Sequence, residues 1–138
     1  LSDSERKTHT ALLFMDGDNF KDINDTWGHA AGDEVLMAIA GRLLECAANT
    51  YLVCLFGGDE FAMILDEVNH HEDIEKVIDT INMRMDEPIV LNSGESVVMT
   101  LSIGYAVASQ AATAEDIMDA ADRSMYLEKQ QHHQRAAG

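Results

Sequence analysis

Apolar and polar positions alternate along the chain with two spacings, which separate the predicted strands from the predicted helices. Apolar runs bounded by turn residues predict strands at 11–15, 51–56, 61–65, 88–91 and 97–107. Apolar residues that recur every three or four positions predict helices at 33–47, at 74–85 and from Thr113 onward. Residues 19–25 are typical of a short helix or turn.

The predicted order of elements is strand, two helices, two strands, helix, two strands, helix. Hairpins and crossovers are combined in this order, which indicates an α+β fold of ferredoxin-like type, one mixed sheet covered by helices. Gly28 and Gly32 are expected to bracket a break, with Asp33 as the N-cap of the next helix. Residues 130–138 are polar without a period, so we expect a frayed or disordered tail there.

The composition fits one globular domain with an unusual charge. The 138 residues are enough for a single hydrophobic core, and no apolar run approaches the about 20 residues that a membrane span needs. The net charge of −16 disfavours nucleic acid and anionic membranes as partners. A nucleotide would need a metal ion or a few well-placed cations. Cys46 and Cys54 have no metal-ligand spacing and are interpreted as reduced core residues.

Two acidic segments follow predicted strands and carry the candidate chemistry. Phe56-Gly57-Gly58-Asp59-Glu60-Phe61 forms the tip of the predicted hairpin, where glycines permit positive φ and close approach of another molecule. Asp16-Gly17-Asp18 ends the first strand. Carboxylates bind hard cations, and such cations bind phosphate. If the segments meet in space, they predict a metal–nucleotide site; a plain hairpin turn is the alternative for the first segment.

Three longer motifs occur in order: Asp16-x-Asp18-x-Phe20-Lys21-x-x-Asn24-Asp25-x-x-Gly28-His29-x-x-Gly32-Asp33, then Gly57-Gly58-Asp59-Glu60-Phe61, then Ala121-Asp122-x-x-x-Tyr126-x-x-Lys129. On these motifs the chain resembles the GGDEF domain of bacterial diguanylate cyclases, from residue 11 to about 129. We expect a single domain, 1–138, from a larger signalling protein, and the resemblance implies that the family's opening segment, before the first strand, is cut away.

The resemblance implies an enzyme that condenses two GTP molecules into cyclic di-GMP. Each domain would hold one GTP, and two domains would face each other so that each 3′-hydroxyl attacks the other α-phosphate. The implied cofactor is Mg²⁺, or Mn²⁺, because GTP brings about four negative charges. The implied partners are GTP, a second GGDEF domain and an attached sensor or phosphodiesterase domain. The implied location is the bacterial cytoplasm, including as part of a membrane-anchored parent protein.

The family's metal and catalytic roles transfer to matching positions. The implied metal ligands are Asp16, the main-chain carbonyl of Gly17, and Asp59. Glu60 would support the metal site or bind a second ion. The implied catalytic residues are Asp59, Glu60 and Lys129.

The substrate-binding roles transfer in the same way. The phosphates would lie against the main chain of the first helix start and of the hairpin turn, and the guanine against an amide and a carboxylate. The implied residues are Asn19, Phe20, Lys21, Asn24, Asp33, Gly57 and Gly58. A helix cap is the alternative role for Asn24 and for Asp33.

Departures from the family pattern lead to a second hypothesis. Leu55 and His133 stand where the family usually has arginine, and Glu128 stands where it has a small residue. These changes predict weaker GTP binding, since a lost charge-assisted contact costs about 1.5–3 kcal/mol. The alternative function is a degenerate domain that binds GTP and regulates an attached domain, such as a cyclic di-GMP phosphodiesterase, without catalysis. The pairs His70-His71 and His132-His133 are interpreted as solvated.

Overall fold

A computed structural model describes residues 9–48, 51–56, 58–108 and 113–137, with side chains as far as His132. Its strands are β1 (His9–Gly17), β2 (Leu52–Leu55), β3 (Glu60–Val68), β4 (Ile89–Val90), β5 (Ser96–Val97) and β6 (Leu101–Val107). Its helices are α1 (Phe20–Trp27), α2 (His29–Ala47), α3 (His71–Met85) and α4 (Ala114–Ala137). None of the helices in these ranges is both long and apolar enough to cross a bilayer.

Four of the strands form one sheet in the order β2-β3-β1-β6, and β4 pairs with β5 in a separate ribbon. Each pairing in the four-stranded sheet is antiparallel. The hairpin β2–β3 lies on one side of β1, and the crossover through α3 brings β6 to its other side. This arrangement confirms the predicted α+β fold of ferredoxin-like type, with the acidic turn at the tip of a hairpin.

Alternation along the strands divides the core into two layers. One face of the sheet packs on α2 and α3, and burial of each large side chain there stabilises the fold by about 1.5–3 kcal/mol. Its fully buried members include Leu13, Met15, Phe61, Met63, Leu65, Val35, Ile39, Leu43, Ile74 and Ile81. This is the larger of the two layers, and it determines which side chains of β1 are buried on this face.

The other face of the sheet packs on α4. Phe14 of β1 lies against Ala121 and Met125 of that helix. A Cβ on Gly104 in β6 would lie 1.9 Å from the backbone nitrogen of Met125, so the helix packs directly on the main chain of the strand. The even-numbered residues of β1 therefore face α4, and this includes Asp16.

The structure differs from the sequence prediction at three boundaries. Helix α2 begins at His29, with Gly28 as its N-cap at φ 93°, so the predicted break at Gly32 and the N-cap role of Asp33 were wrong. The predicted long strand at 97–107 is interrupted at 98–100, where the Thr100 carbonyl accepts a hydrogen bond from the Asp18 amide at 3.0 Å. The expected frayed tail is helical as far as Ala137.

Candidate functional site

Asp16 and Lys129 form an ion pair where β1 leaves the sheet. The Nζ atom of Lys129 lies 2.7 Å from Oδ2 of Asp16 and 2.8 Å from the carbonyl oxygen of Gly17. The side chains of Lys129 and Asp16 are 23% and 17% exposed, so both charges are largely withdrawn from water. One cation thus already lies on two of the oxygens expected to bind a metal.

The hairpin turn brings Asp59 to the same corner. Gly58 has φ 62°, which a residue with a side chain rarely adopts. The amide of Gly17 donates a hydrogen bond to the carbonyl of Asp59 at 3.3 Å. A Cβ on Gly17 would lie 3.0 Å from Oδ2 of Asp59 and 2.8 Å from Cε of Met99, so the absence of a side chain lets the two acidic segments meet. Gly57 lies outside the described residues.

The proximity of two carboxyl groups changes the protonation of Asp59. Burial, and then the hydrogen bond and negative charge of Asp16, raise the pKa of Asp59 from 3.8 to about 6. The ammonium of Lys129 acts in the opposite direction but is the smaller influence. Without a further cation, this corner therefore holds a carboxyl group that keeps its proton in weakly acidic solution.

The donors at this corner fit a hard divalent cation. Oδ1 of Asp16 is buried without a hydrogen-bond partner among the described residues. Within those residues, His, Cys, Asp and Glu side chains do not form a metal-binding group of three or more. The donor set is instead two carboxylates and the Gly17 carbonyl. One or two carboxylates with phosphate oxygens and water are the usual ligands of Mg²⁺ at nucleotide sites.

Glu60 lies beside the corner rather than in it. It pairs across the sheet with Asp16, so both side chains lie on the same face of the sheet. Its side chain is exposed, while the next residue, Phe61, is fully buried. The arrangement is compatible with a supporting role for Glu60 and does not make it a third member of the buried corner.

The start of α1 follows the acidic end of β1 directly. Asn19 is the N-cap, and its carbonyl accepts the amide of Ile23 at 3.1 Å. The amides of the first helical turn, which include those of Phe20 and Lys21, have no acceptor within the helix and so favour anions. Oδ1 of Asn19 is buried without a partner among the described residues. Lys21 is exposed.

Asn24 is held against the second helix by a glycine. A Cβ on Gly32 would lie 1.8 Å from Oδ1 of Asn24 and 3.4 Å from the ring of Phe20. Oδ1 of Asn24 is also buried without a partner in the described part of the chain. Asp33 follows on α2 and is exposed. The structure therefore places Asn24 and Asp33 on neighbouring helices, and the amide oxygen of Asn24 is an unused acceptor beside Gly32.

A second polar cluster, around Asp18, was not recognised from the sequence. The Asp18 carboxylate is 14% exposed and accepts hydrogen bonds from Thr100 Oγ1 at 2.5 Å and from Ser102 Oγ. His132 Nδ1 lies 2.8 Å from Oδ2 of Asp18. The interpretation of His132 as solvated was therefore wrong, whereas His70 is exposed. The signal was the helical spacing from Lys129 to His132.

Comparison with known sequences decides the family. The family model described as diguanylate cyclase, GGDEF domain matches residues 1–135. The chain belongs to the GGDEF domain family. Membership implies a divalent metal, which the oxygen donors described above fit.

Relatives of this GGDEF domain are named as diguanylate cyclases. Diguanylate cyclase DgcN of Escherichia coli is 44% identical over 136 residues, which are 99% of this chain and 33% of the relative. Diguanylate cyclase TpbB of Pseudomonas aeruginosa is 41% identical over 129 residues, 93% of this chain and 30% of the relative. The chain therefore spans about a third of the length of these relatives.

Solved GGDEF domains share the fold. The GGDEF domain of TpbB from Pseudomonas aeruginosa has a TM-score of 0.87 at 40% identity, covering 93% of this chain and 80% of that one. The GGDEF domain of DgcB from Caulobacter crescentus, solved in complex with c-di-GMP, has a TM-score of 0.84 at 29% identity, covering 92% and 75%. These similarities extend the agreement from the motifs to the arrangement of the elements.

Proposed function

We propose that this GGDEF domain is a diguanylate cyclase domain, which binds one GTP with Mg²⁺ and condenses it with the GTP of a second, facing domain. In this reaction the 3′-hydroxyl of one GTP gives up its proton to solvent, and its oxygen forms a bond to the α-phosphorus of the other. The bond from that phosphorus to the bridging oxygen breaks, and pyrophosphate leaves with it. Two such steps give cyclic di-GMP. Mn²⁺ is expected to substitute for Mg²⁺, because both ions accept oxygen ligands.

The convergence of Asp16, the Gly17 carbonyl and Asp59 beside Lys129 is the observation that carries this proposal. These groups come from β1, the hairpin turn and α4, and they meet at one corner. A bound divalent ion would be held by the two carboxylates and the carbonyl, and would offset negative charge that develops on the phosphates. An isolated structural ion pair would not need the buried, unpartnered oxygen of Asp16.

The remaining residues bind and orient the nucleotide in this proposal. The first amides of α1 and the Lys129 ammonium hold phosphate oxygens, and Lys21 adds a flexible charge at the exposed end. Asn24 lies about 7.5 Å further along the helix axis than Asn19, at a rise of about 1.5 Å per residue. Its free acceptor and the Asp33 carboxylate suit the N–H donors of guanine. Positioning of this kind supplies much of the catalysis in phosphoryl transfer.

Product analysis with a forced dimer tests the proposal. The domain is fused to a dimeric coiled coil and incubated with GTP and Mg²⁺, and cyclic di-GMP is measured by chromatography with mass detection. The Asp59→Asn variant should lose product formation by about a hundredfold or more, because it removes a charged metal ligand. The matched control is Asp79→Asn on the exposed surface of α3, which should leave the rate unchanged.

The outcomes separate the enzyme from the alternative. Product that depends on Asp59 supports the proposal. GTP binding in calorimetry without product from the tethered dimer would instead favour a degenerate, regulatory domain. The exposed Leu55, at the end of β2, is one of the departures from the family pattern that motivate this calorimetric measurement.

The cellular setting follows from the chemistry of the substrate and from the length of the relatives. GTP is an intracellular substrate, so we place the domain in the bacterial cytoplasm. Because the relatives are about three times as long as this chain, we propose an attached sensor or phosphodiesterase domain as a partner. At a net charge of −16, we do not expect the domain to bind nucleic acid or an anionic membrane.

A further inference from the structure

The end of α4 is attached to the sheet by polar contacts. Its apolar contacts to β1 and β6 are made by Ala121 and Met125. Between residues 126 and 132, the half-buried side chains are those of Glu128, Lys129 and His132, and the others are exposed. The helix therefore continues past the apolar layer, and its position there depends on hydrogen bonds and charge.

The His132 contact has a defined direction. A carboxylate only accepts hydrogen bonds, so Nδ1 of His132, 2.8 Å from Oδ2 of Asp18, must carry the proton. The same nitrogen lies 3.1 Å from Ser102 Oγ, which donates to the other oxygen of Asp18. His132 thus enters a network fixed by β6 and by the end of β1. Nε2 of His132 lies 3.7 Å from Oε1 of Glu128.

Lys129 and His132 share one face of the helix, because they are three residues apart. Lys129 contacts Asp16 and Gly17, and His132 contacts Asp18, the next residue along the same strand end. A displacement of His132 would therefore let the last turns of α4 move and would carry the Lys129 ammonium away from the acidic corner.

We propose that His132 is a positioning residue: its hydrogen bond to Asp18 fixes the end of α4 and so holds the Lys129 ammonium where the nucleotide phosphates bind. This inference rests on the proposed function, since it assigns Lys129 to a phosphate site. The contacts of His132 in the structure are to Asp18, Ser102 and Glu128.

The test compares variants of His132 in two backgrounds. His132→Ala and His132→Phe remove the donor, and the second keeps a ring of similar size. His132→Asn keeps an N–H donor near the position of Nδ1. Gln131→Ala, on the exposed side of the same turn, is the matched control. Each is made with Lys129 present and with Lys129→Ala, and the dissociation constant for GTP with Mg²⁺ is measured by calorimetry.

With Lys129 present, we expect the Ala and Phe variants to raise the dissociation constant about five- to tenfold, as for a weakened charge-assisted contact. His132→Asn should restore it to within about twofold. In the Lys129→Ala background the His132 variants should have no further effect, because the group that they position is gone. An equal loss in both backgrounds, or no loss in the first, would overturn the inference.

A second readout needs no nucleotide. An ordered lysine ammonium in a salt bridge gives a detectable nitrogen–proton signal in NMR spectra at low temperature. The Lys129 signal should be present in the unmodified domain and in His132→Asn, and absent in His132→Ala and His132→Phe. Persistence of the signal in the Ala and Phe variants contradicts the inference. If the unmodified domain binds no GTP, the proposed function fails, and this spectrum alone decides the positioning role.

Discussion

Asp16 and Asp59 place two negative charges at one partly buried corner, and a single ammonium partly neutralises them. The pKa of Asp59 still rises to about 6, with burial as the largest cause. A group that is protonated more easily in the folded state than in the unfolded state stabilises the fold at low pH and loses that contribution as pH rises. Without metal, the corner therefore lowers the free energy of unfolding most at pH values where both of its carboxylates are ionised.

The raised pKa of Asp59 predicts that the stability of the metal-free domain depends on pH. The Asp59 contribution should be complete below about pH 4 and lost as pH rises through about 6, because the folded pKa exceeds the ordinary value of 3.8. In metal-free buffer, Asp59→Asn should be as stable as the unmodified domain near pH 4. At pH 7 it should be more stable by about 1 kcal/mol, a value discounted for the exposed part of the group. Denaturant unfolding across this range measures the difference; a constant difference would contradict it.

Lys129 contacts two of the oxygens proposed as metal ligands, so we expect it to compete with a metal ion that arrives without nucleotide. Lys129→Met should bind Mn²⁺ alone about fivefold more tightly, since about 1 kcal/mol of ion pairing no longer has to be broken. The same variant should bind GTP with Mg²⁺ more weakly, because a phosphate contact is lost. Opposite shifts in the two titrations are the expected result. Weaker Mn²⁺ binding would show that Lys129 does not compete for these oxygens.

A change from apolar to polar inward positions along α4 explains why the sequence did not reveal the role of His132. The meeting of Asp16, Gly17 and Asp59 could be predicted because one acid lies at the end of an apolar strand and the other in the turn between two apolar strands. His132 could not be found from an apolar period, since the inward positions of α4 after Met125 are polar and contact polar groups of the sheet. The helical spacing continues there with different chemistry.

At the scale of elements, the type and order of the strands and helices were predictable, whereas their ends and the interruption at 98–100 were not. Strand β1 and helix α3 follow their apolar patterns. Helix α2 begins at His29, before the predicted start at Asp33, because Gly32 lies within the helix and does not break it. The structure gives another reason for this glycine: it leaves space for the side chain of Asn24, a tertiary contact that no local pattern records.

Helix α2 has a second glycine that permits a matched comparison. A Cβ on Gly32 would lie 1.8 Å from Oδ1 of Asn24, whereas a Cβ on Gly41 meets nothing within 4 Å. Gly32→Ala should displace Asn24 and weaken GTP binding by about tenfold, as expected for a lost hydrogen bond to the base. Gly41→Ala should raise stability by about 0.5–1 kcal/mol through helix propensity and leave GTP binding unchanged. Calorimetry and thermal unfolding check both variants; equal GTP affinities would contradict the role of Asn24.

At the scale of the whole molecule, the charge opposes the pairing on which the proposed reaction depends. Each domain carries a formal charge of −16. Two copies that face each other across their acidic corners repel, and GTP adds further negative charge. The α+β fold could be predicted from the order of the elements along the chain, but the strength of this repulsion depends on surface geometry and on the surrounding salt.

Salt should therefore increase the activity of the free domain. The Debye length falls from about 30 Å at 0.01 M to about 8 Å at 0.15 M ionic strength, so repulsion between facing domains weakens over this range. We expect cyclic di-GMP formation by the untethered domain to rise severalfold as NaCl is increased at constant Mg²⁺. Sedimentation velocity should show more dimer over the same range. The coiled-coil fusion is the control, because its domains are already paired: its rate should stay flat or fall slightly as salt weakens GTP binding. A parallel rise in both proteins would place the salt effect on nucleotide binding or catalysis instead of association.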